Sequence, residues 1–167
     1  TRIMDGKPVL VPLDQDGKID LTAMLFAITA KTKMIVLCNP NNPTGAILGK
    51  EEIASFMKKV PASVMVVFDA AYAEFVDKDA DFEDGQSYAL QYDNAIMLRT
   101  FSKIYGLAGL RIGYGIAKKE TVAMLNRVRP AFNVNLIAQA AAVAALADEE
   151  HVATYYRINQ EGKRYLY

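Results

Sequence analysis

The sequence of 167 residues contains few of the residues that disulfide and metal sites require. It has one cysteine, Cys38, and one histidine, His151. A lone cysteine cannot form a disulfide within the chain, which fits a reducing, cytoplasmic compartment. One cysteine and one histidine are too few for a typical metal site, so we expect no metal. We expect Cys38 to be a small buried apolar residue and His151 to be structural or to face solvent.

The chain also lacks an excess of charge and long apolar runs. Lys plus Arg number 19 and so do Asp plus Glu, and no basic run is interleaved with aromatic residues, so nucleic acid and membrane surfaces are not expected partners. No apolar stretch approaches the roughly 20 residues of a membrane-spanning helix, and no signal peptide is expected. With 52% apolar residues, the chain can form one domain with a substantial core, whose expected partner is a small neutral or anionic metabolite.

Apolar segments of strand length alternate with amphipathic helical segments. The predicted strands are 34–38, 64–68, 95–98 and 112–117, and the first should be buried on both faces. The last follows its predecessor too closely for a helical crossover, so it should run antiparallel. This alternation is typical of a three-layer α/β/α domain with a mostly parallel sheet.

The helices are predicted from apolar periodicity and capping residues. The first should begin after Asp20 and end near Lys31. Further helices are predicted over 51–59, 87–92, 118–127 and 149–167, and an alanine-rich helix through Ala147 should be capped by Asn133 or Asn135. In 118–127 and just beyond it, the apolar residues Val122, Leu125 and Val128 are expected to face inward. The acidic segment 77–85 should be an exposed loop.

Polar side chains follow three of the predicted strands. The loop 39–45, stiffened by two prolines, carries Asn42. Asp69 and Tyr72 follow the second strand, and Ser102 and Lys103 follow the third. Because ligands bind outside the carboxyl ends of parallel strands, these side chains should line one cleft. The glycine-spaced loop after Lys103 then returns Arg111 to the same edge.

This set of side chains is suited to pyridoxal phosphate. Lys103 can form a Schiff base when its amine is neutral, a form that burial or a nearby cation such as Arg111 favours. A carboxylate such as Asp69 can keep a pyridine nitrogen protonated, so that the ring accepts electrons. Tyr72 and Asn42 can donate hydrogen bonds to a phenolate oxygen. Ser102 and Arg111 have the hydroxyl and guanidinium donors that suit a phosphate.

Each of these residues also has an ordinary structural interpretation. Asp69 and Asn42 can be turn residues, and Tyr72 a half-buried core residue. Arg111 can belong to a surface ion pair, and Ser102 can cap a helix that begins at Lys103. The glycines at 106, 109, 113 and 115 match neither G-x-G-x-x-G nor a Walker pattern, so a nucleotide loop is not favoured. The joint occurrence of the polar residues in this order favours the cofactor site.

Segments 39–45, 69–75 and 100–115 resemble the three signature blocks of class I/II pyridoxal-phosphate-dependent aminotransferases, in order and in spacing. The resemblance extends over essentially the whole chain, and the blocks are most similar to those of the histidinol-phosphate aminotransferase branch. It implies part of the large domain of an aspartate-aminotransferase-like fold, with pyridoxal 5'-phosphate as cofactor. Ala70, where many relatives carry glutamate, departs from the pattern without changing the roles that the resemblance implies.

The resemblance assigns a role to each candidate residue. It implies that Lys103 forms the Schiff base and carries the proton, and that Asp69 pairs with the pyridine nitrogen. It implies that Asn42 and Tyr72 bind the ring hydroxyl oxygen, and that the phosphate is held by Ser102 and Arg111. The catalytic residues implied are therefore Lys103, Asp69 and Tyr72.

Because members of this family are much longer, the resemblance implies that 1–167 is an incomplete cofactor-binding large domain without its N-terminal segment and C-terminal small domain. It implies a homodimer that transfers an amino group between an amino donor and a 2-oxo acid, with histidinol phosphate and 2-oxoglutarate, in histidine biosynthesis, as the first pair. The alternatives are an aromatic amino acid aminotransferase and a phosphothreonine-type decarboxylase. A different class of alternative is a non-catalytic folding or dimerisation fragment.

Overall fold

The computed structural model describes residues 5–166, so Tyr167, the predicted end of the last helix, lies outside the described residues. A four-stranded sheet has the order β1-β2-β3-β4, with β1 Met34–Cys38, β2 Met65–Asp69, β3 Ala95–Thr100 and β4 Gly113–Ala117. Strands β1, β2 and β3 are parallel, and β4 runs antiparallel to β3. The predicted mostly parallel sheet with one antiparallel strand is therefore confirmed.

The helices lie between and after the strands, as the periodicity predicts. They are α1 Leu21–Phe26, α2 Lys50–Met57, α3 Gln86–Gln91, α4 Lys119–Asn126, α5 Leu136–Ala147 and α6 Glu149–Leu166, with short 3-10 turns at Ala73–Phe75 and Ala108–Leu110. The side chain of Asp20 caps α1 by accepting from the Ala23 amide at 2.8 Å. Asn135 caps α5 by accepting from the Ala138 amide at 2.8 Å. Within residues 5–166, no helix is both long enough and apolar enough to cross a bilayer.

Helix α1 is shorter than predicted, since it ends at Phe26 and not near Lys31. The hydroxyl of Thr32 accepts from the Thr29 amide at 2.9 Å, and the hydroxyl of Thr29 accepts from the Lys31 amide at 3.2 Å. Threonine side chains that bond the local backbone offer it an alternative to the helix, which explains the early end.

The hydrophobic core lies on one face of the sheet, against α2 and α3. Its largest fully buried side chains on these elements are Leu37, Val66, Phe68, Met97, Ile53 and Phe56. Because successive strand residues point to opposite faces, the residues between them lie on the other face. There Met34 is 59% and Val36 51% exposed. The prediction that β1 is buried on both faces is therefore wrong for this chain.

Helix α4 also differs from its prediction. Val122, Leu125 and Val128, expected to face inward, are exposed, whereas Thr121 is buried. The hydroxyl of Thr121 donates to the Asp93 carbonyl at 3.1 Å. The helix is therefore attached through its polar first turn and not through an apolar stripe.

Candidate functional site

A cavity of about 550 Å³ lies at the edge of the sheet where the parallel strands end. Three of the predicted site residues line it: Asn42 after β1, Tyr72 after β2 and Lys103 after β3. The loops that follow parallel strands meet at one edge, which is why residues far apart in the chain share this cavity. The structure thus brings together three of the six candidate residues around one space.

Tyr72 lies at the centre of this group. Its hydroxyl accepts a hydrogen bond from Asn42 Nδ2 at 3.1 Å. The ammonium nitrogen of Lys103 lies over its ring, 4.8 Å from the centroid. Among residues 5–166, no carboxylate forms an ion pair with Lys103 Nζ. The amine therefore faces the cavity beside two hydrogen-bonding side chains and is not neutralised by an acidic neighbour.

The chain turns sharply after Lys103. Gly106 has a φ of +69°, which residues with a side chain rarely adopt, and its amide donates to the Lys103 carbonyl at 2.9 Å. His151 Nε2 lies 3.0 Å from the Ile104 carbonyl oxygen, and its ring stacks on Tyr155 with centroids 4.4 Å apart. His151 is thus a structural residue, as predicted, that links α6 to the segment after Lys103.

Ser102 and Arg111 meet each other outside this cavity. Arg111 Nη1 donates to Ser102 Oγ at 3.4 Å and to the Ala108 carbonyl at 2.9 Å. Arg111 has a φ of +54°, a conformation that is uncommon for residues other than glycine and that often marks functional sites. No ion pair involves Arg111 within residues 5–166, and 101–105 form bends and turns, so Ser102 caps no helix there.

Asp69 is the last residue of β2 and lies level with Cys38 of β1 and Leu98 of β3. Its carboxylate accepts from the Ala71 amide at 3.3 Å, the contact that a turn aspartate makes. The described residues that line the cavity do not include Asp69. Ala70, the departure from the family pattern, is fully buried. The pairing of Asp69 with a ring nitrogen stays a prediction.

Asn39 has a role that the sequence did not predict. It lies in the loop 39–45, like Asn42, but is only 1% exposed. Its Nδ2 donates to the carbonyls of Leu48 at 3.2 Å and Glu83 at 2.7 Å, and its Oδ1 accepts from the Leu48 amide at 2.8 Å. Asn39 therefore fixes the start of the loop that carries Asn42, in which the Asn39–Pro40 and Asn42–Pro43 peptide bonds are cis.

Arg99, on β3, is a second residue that sequence reasoning missed. Its Nη1 pairs with Glu74 at 2.7 Å, and its Nη2 pairs with Asp84. Burial would lower the pKa of Arg99, but the charges of Glu74 and Asp84 outweigh burial and raise this pKa. The prediction that 77–85 is an exposed loop is thus wrong for Asp84. No spacing rule links these three positions, so the sequence offers no signal for the cluster.

Helix α6 supplies another side of the cavity through Asn159 and Lys163. Asp77 connects this helix to the segment after β2. Its Oδ1 accepts from Tyr156 Oη at 3.2 Å, from Lys163 Nζ at 3.4 Å, and from Gln160 Nε2. The side chains of Asp77 and Lys163 are 58% and 42% exposed, so these contacts lie in water.

Comparison with known proteins identifies the family of this chain. Residues 1–167 match the family model described as aminotransferase class I and II. The chain is 51% identical to the histidinol-phosphate aminotransferase of Moorella thermoacetica, over 99% of this chain and 43% of that protein. The chain thus spans less than half the length of this curated relative.

Solved structures give the same result. A histidinol-phosphate aminotransferase from Sinorhizobium meliloti in complex with pyridoxal-5'-phosphate superposes with a TM-score of 0.83 at 34% identity, covering 90% of this chain and 40% of that one. A putative histidinol-phosphate aminotransferase from Erwinia carotovora atroseptica superposes with a TM-score of 0.89 at 30% identity, covering 98% of this chain and 48% of that one. The fold and the family are both shown: the chain belongs to the aminotransferase class I and II family.

Proposed function

We propose that the complete protein carrying this chain is a pyridoxal-phosphate-dependent aminotransferase that acts on histidinol phosphate and 2-oxoglutarate. The main observation behind the proposal is that Lys103, Tyr72 and Asn42 line one cavity, at the edge where the parallel strands end. The names of the similar proteins support histidinol phosphate as one of the two substrates.

The residues present fit pyridoxal phosphate. The cavity of about 550 Å³ is within the range of roughly 300–1,000 Å³ that is usual for small-molecule sites. Lys103 would hold the cofactor covalently, Asn42 and Tyr72 would donate to its ring oxygen, and Asp69 would meet its ring nitrogen. Ser102 and Arg111, which bond each other but do not line the cavity, are the two donors that would bind its phosphate. When bound, this cofactor supplies a carbonyl for the covalent bond and a ring that accepts electrons.

The chain's own residues then position and move a proton. Lys103 Nζ, released when a substrate amine takes its place, would accept the proton from the substrate's α-carbon and return it to another carbon. In the described part of the chain no carboxylate pairs with Lys103, so no ion pair ties its side chain to another residue. Tyr72, placed beneath the amine and bonded to Asn42, keeps the donors to the ring oxygen at a fixed position relative to Lys103.

We also propose that the protein is a cytoplasmic homodimer and that 1–167 forms part of a larger cofactor-binding domain. Apolar side chains of α5 are largely exposed, with Leu136 at 80%, Ile137 at 74% and Val143 at 72%. Exposed apolar patches of this kind mark surfaces that bind another part of a protein or a partner. The lone cysteine supports a reducing compartment.

The experiment is an amino-transfer assay on the complete gene product with histidinol phosphate, phenylalanine or phosphothreonine as donor. We expect at least tenfold higher kcat/KM for histidinol phosphate. The variant K103A should lose about 10²–10⁴ in rate, the contribution usual for a positioned acid–base group. The matched variant K78A, at an exposed lysine, should keep the wild-type rate.

Other outcomes select among the alternatives. Transfer from phenylalanine without transfer from histidinol phosphate would assign an aromatic amino acid aminotransferase. Release of carbon dioxide from phosphothreonine would assign the decarboxylase. No reaction with any of the three donors would favour the non-catalytic alternative.

A further inference from the structure

The ion pair between Arg99 and Glu74 connects two of the segments that carry site residues. Arg99 lies on β3, four residues before Lys103, and Glu74 lies in the 3-10 turn two residues after Tyr72. The two side chains are joined by Nη1 and Oε1 at 2.7 Å. None of the three residues of the Arg99–Glu74–Asp84 cluster lines the cavity, so any effect on the site must be indirect.

The second ion pair of the cluster, between Arg99 and Asp84, lies next to the start of α3. Asp84 directly precedes Gly85, the N-cap of α3, and pairs with Arg99 Nη2. The amide of Gln86 donates to the Asp84 carboxylate at 2.8 Å, which ties this ion pair to the start of α3. The two carboxylates therefore share one guanidinium but attach it to different parts of the fold.

The side chains of the cluster are mostly buried. The exposed fraction is 14% for the Arg99 side chain, 13% for Glu74 and 23% for Asp84. Interactions between charges are stronger there than in water, and the planar guanidinium directs its two N–H groups along fixed directions, which a lysine cannot do. Within residues 5–166, Arg99 Nε has no hydrogen-bond partner, and the two carboxylates are held by separate nitrogens, Glu74 by Nη1 and Asp84 by Nη2.

We propose that Arg99 is a positioning residue that, through Glu74, holds Tyr72 against Lys103 and so sets how strongly Tyr72 bonds the cofactor's ring oxygen. This inference rests on the proposed function. Loss of the Arg99–Glu74 pair would change both the site and the stability of the fold, whereas loss of the Arg99–Asp84 pair would change stability alone. This difference distinguishes a positioning role from a purely structural one.

The test compares E74Q with D84N in the complete gene product loaded with pyridoxal phosphate. Each variant neutralises one carboxylate of the same arginine and keeps the shape of the side chain, so both should lower the melting temperature. The readout is the pH midpoint at which the absorbance of the bound cofactor changes. A hydrogen bond from Tyr72 to the ring oxygen lowers the proton affinity of the nitrogen that joins Lys103 to the cofactor, so its loss raises this midpoint.

The variant Y72F, which removes the hydroxyl of Tyr72, is the positive control for the size of the shift in the pH midpoint. Loss of a hydrogen bond to a charged group changes an ionisation by about 1–2 pH units, which is the shift we expect for Y72F. A displaced Tyr72 keeps part of that bond, so E74Q should raise the midpoint by roughly half a unit. D84N should leave it unchanged. If E74Q fails to fold, E74D, which keeps the charge and shortens the arm by one methylene, takes its place with the same expected direction.

Equal shifts in the two variants, or a shift in neither, would overturn the positioning role of Arg99. Failure of the proposed function has a different signature. In that case the wild-type protein would show no pH-dependent absorbance change that disappears in K103A, and Y72F would have no midpoint to move.

Discussion

The cavity has an inner wall and an outer wall that are held by different physical means. The inner wall consists of the loops after β1, β2 and β3, and it is fixed by the buried amide of Asn39 and the mostly buried Arg99 cluster. The outer wall is α6, which is joined to the rest of the site by Asp77 through exposed contacts. Hydrogen bonds and ion pairs hold both walls, but those of the inner wall are mostly buried and those of the outer wall are exposed.

Burial decides how much each set of contacts is worth. An exposed ion pair contributes about 0–1 kcal/mol and weakens with salt, whereas removing one partner of a buried pair costs about 3–5 kcal/mol. The inner wall is therefore expected to keep its geometry under conditions that loosen the outer wall. The residues proposed to bind the cofactor covalently and at its ring oxygen, Lys103, Tyr72 and Asn42, all lie on the inner wall.

The largest effect is expected from removing the guanidinium of Arg99. R99M leaves Glu74 and Asp84 as two mostly buried carboxylates without their cation, so it should lower the free energy of unfolding by about 3–5 kcal/mol. Denaturant unfolding of the complete protein measures this loss. The triple variant R99M/E74Q/D84N removes the uncompensated charge and should recover most of it. A triple variant as unstable as R99M would show that buried charge is not the cause.

Removal of the Asn39 amide should have the next largest effect. N39A leaves the amide of Leu48 and the carbonyl of Glu83 without their side-chain partner, whereas the carbonyl of Leu48 keeps the Glu83 amide at 3.3 Å. Since an unsatisfied buried group costs about 1–3 kcal/mol, we expect a loss of roughly 3 kcal/mol in the free energy of unfolding. The matched variant is N41A in the same loop, whose side chain bonds Thr44 Oγ1 at an exposed position. Its loss should stay below about 1 kcal/mol, and equal losses for the two variants would contradict the account.

The outer wall should respond weakly to the loss of Asp77. Solvent screening limits the contribution of this exposed carboxylate, so D77N should cost only about 0.5 kcal/mol at low salt. The difference between D77N and the wild type should disappear in 1 M salt, where the Debye length is about 3 Å. The stability loss of R99M should persist in the same salt. A salt-independent loss for D77N would remove the distinction between the two walls.

The pH dependence of the Asp77 contacts is the smallest effect. Burial would raise the pKa of Asp77, but the hydrogen bonds and charge of Lys163, with Tyr156 and Gln160, hold this pKa below its ordinary value of 3.8. Because the folded pKa is depressed, the contribution of Asp77 is present above the ordinary value and is lost as the pH falls through the folded one. The stability difference between wild type and D77N should therefore be constant from pH 7 to 5 and shrink below about pH 4. A difference that grows on acidification would contradict this sign.

The features that depend on local sequence rules could be predicted from the sequence. Apolar runs located β1 to β4, the prolines at 40 and 43 marked the loop that carries Asn42, and the rule for parallel strands placed Asn42, Tyr72 and Lys103 at one edge. The antiparallel direction of β4 followed from the short connection after β3.

The sequence could not predict contacts between positions without a common spacing. Asp77 and Lys163 are 86 residues apart in the chain, and Arg99 lies 25 residues from Glu74. It also could not tell which face of β1 the helices cover, because Met34 and Val36 are as apolar as the buried residues beside them. The partial exposure of that face depends on what packs against it, which no pattern within β1 encodes.

The central claim is that Lys103 on the inner wall is the lysine that binds pyridoxal phosphate. Its most direct test is to load the complete gene product with the cofactor, reduce it with borohydride and locate the modified lysine by peptide mapping. Lys163 on the outer wall provides an internal comparison, because it lines the same cavity. We expect a single modified peptide, the one that contains Lys103. Modification of Lys163 at a comparable level, or modification spread over exposed lysines such as Lys78, would contradict it.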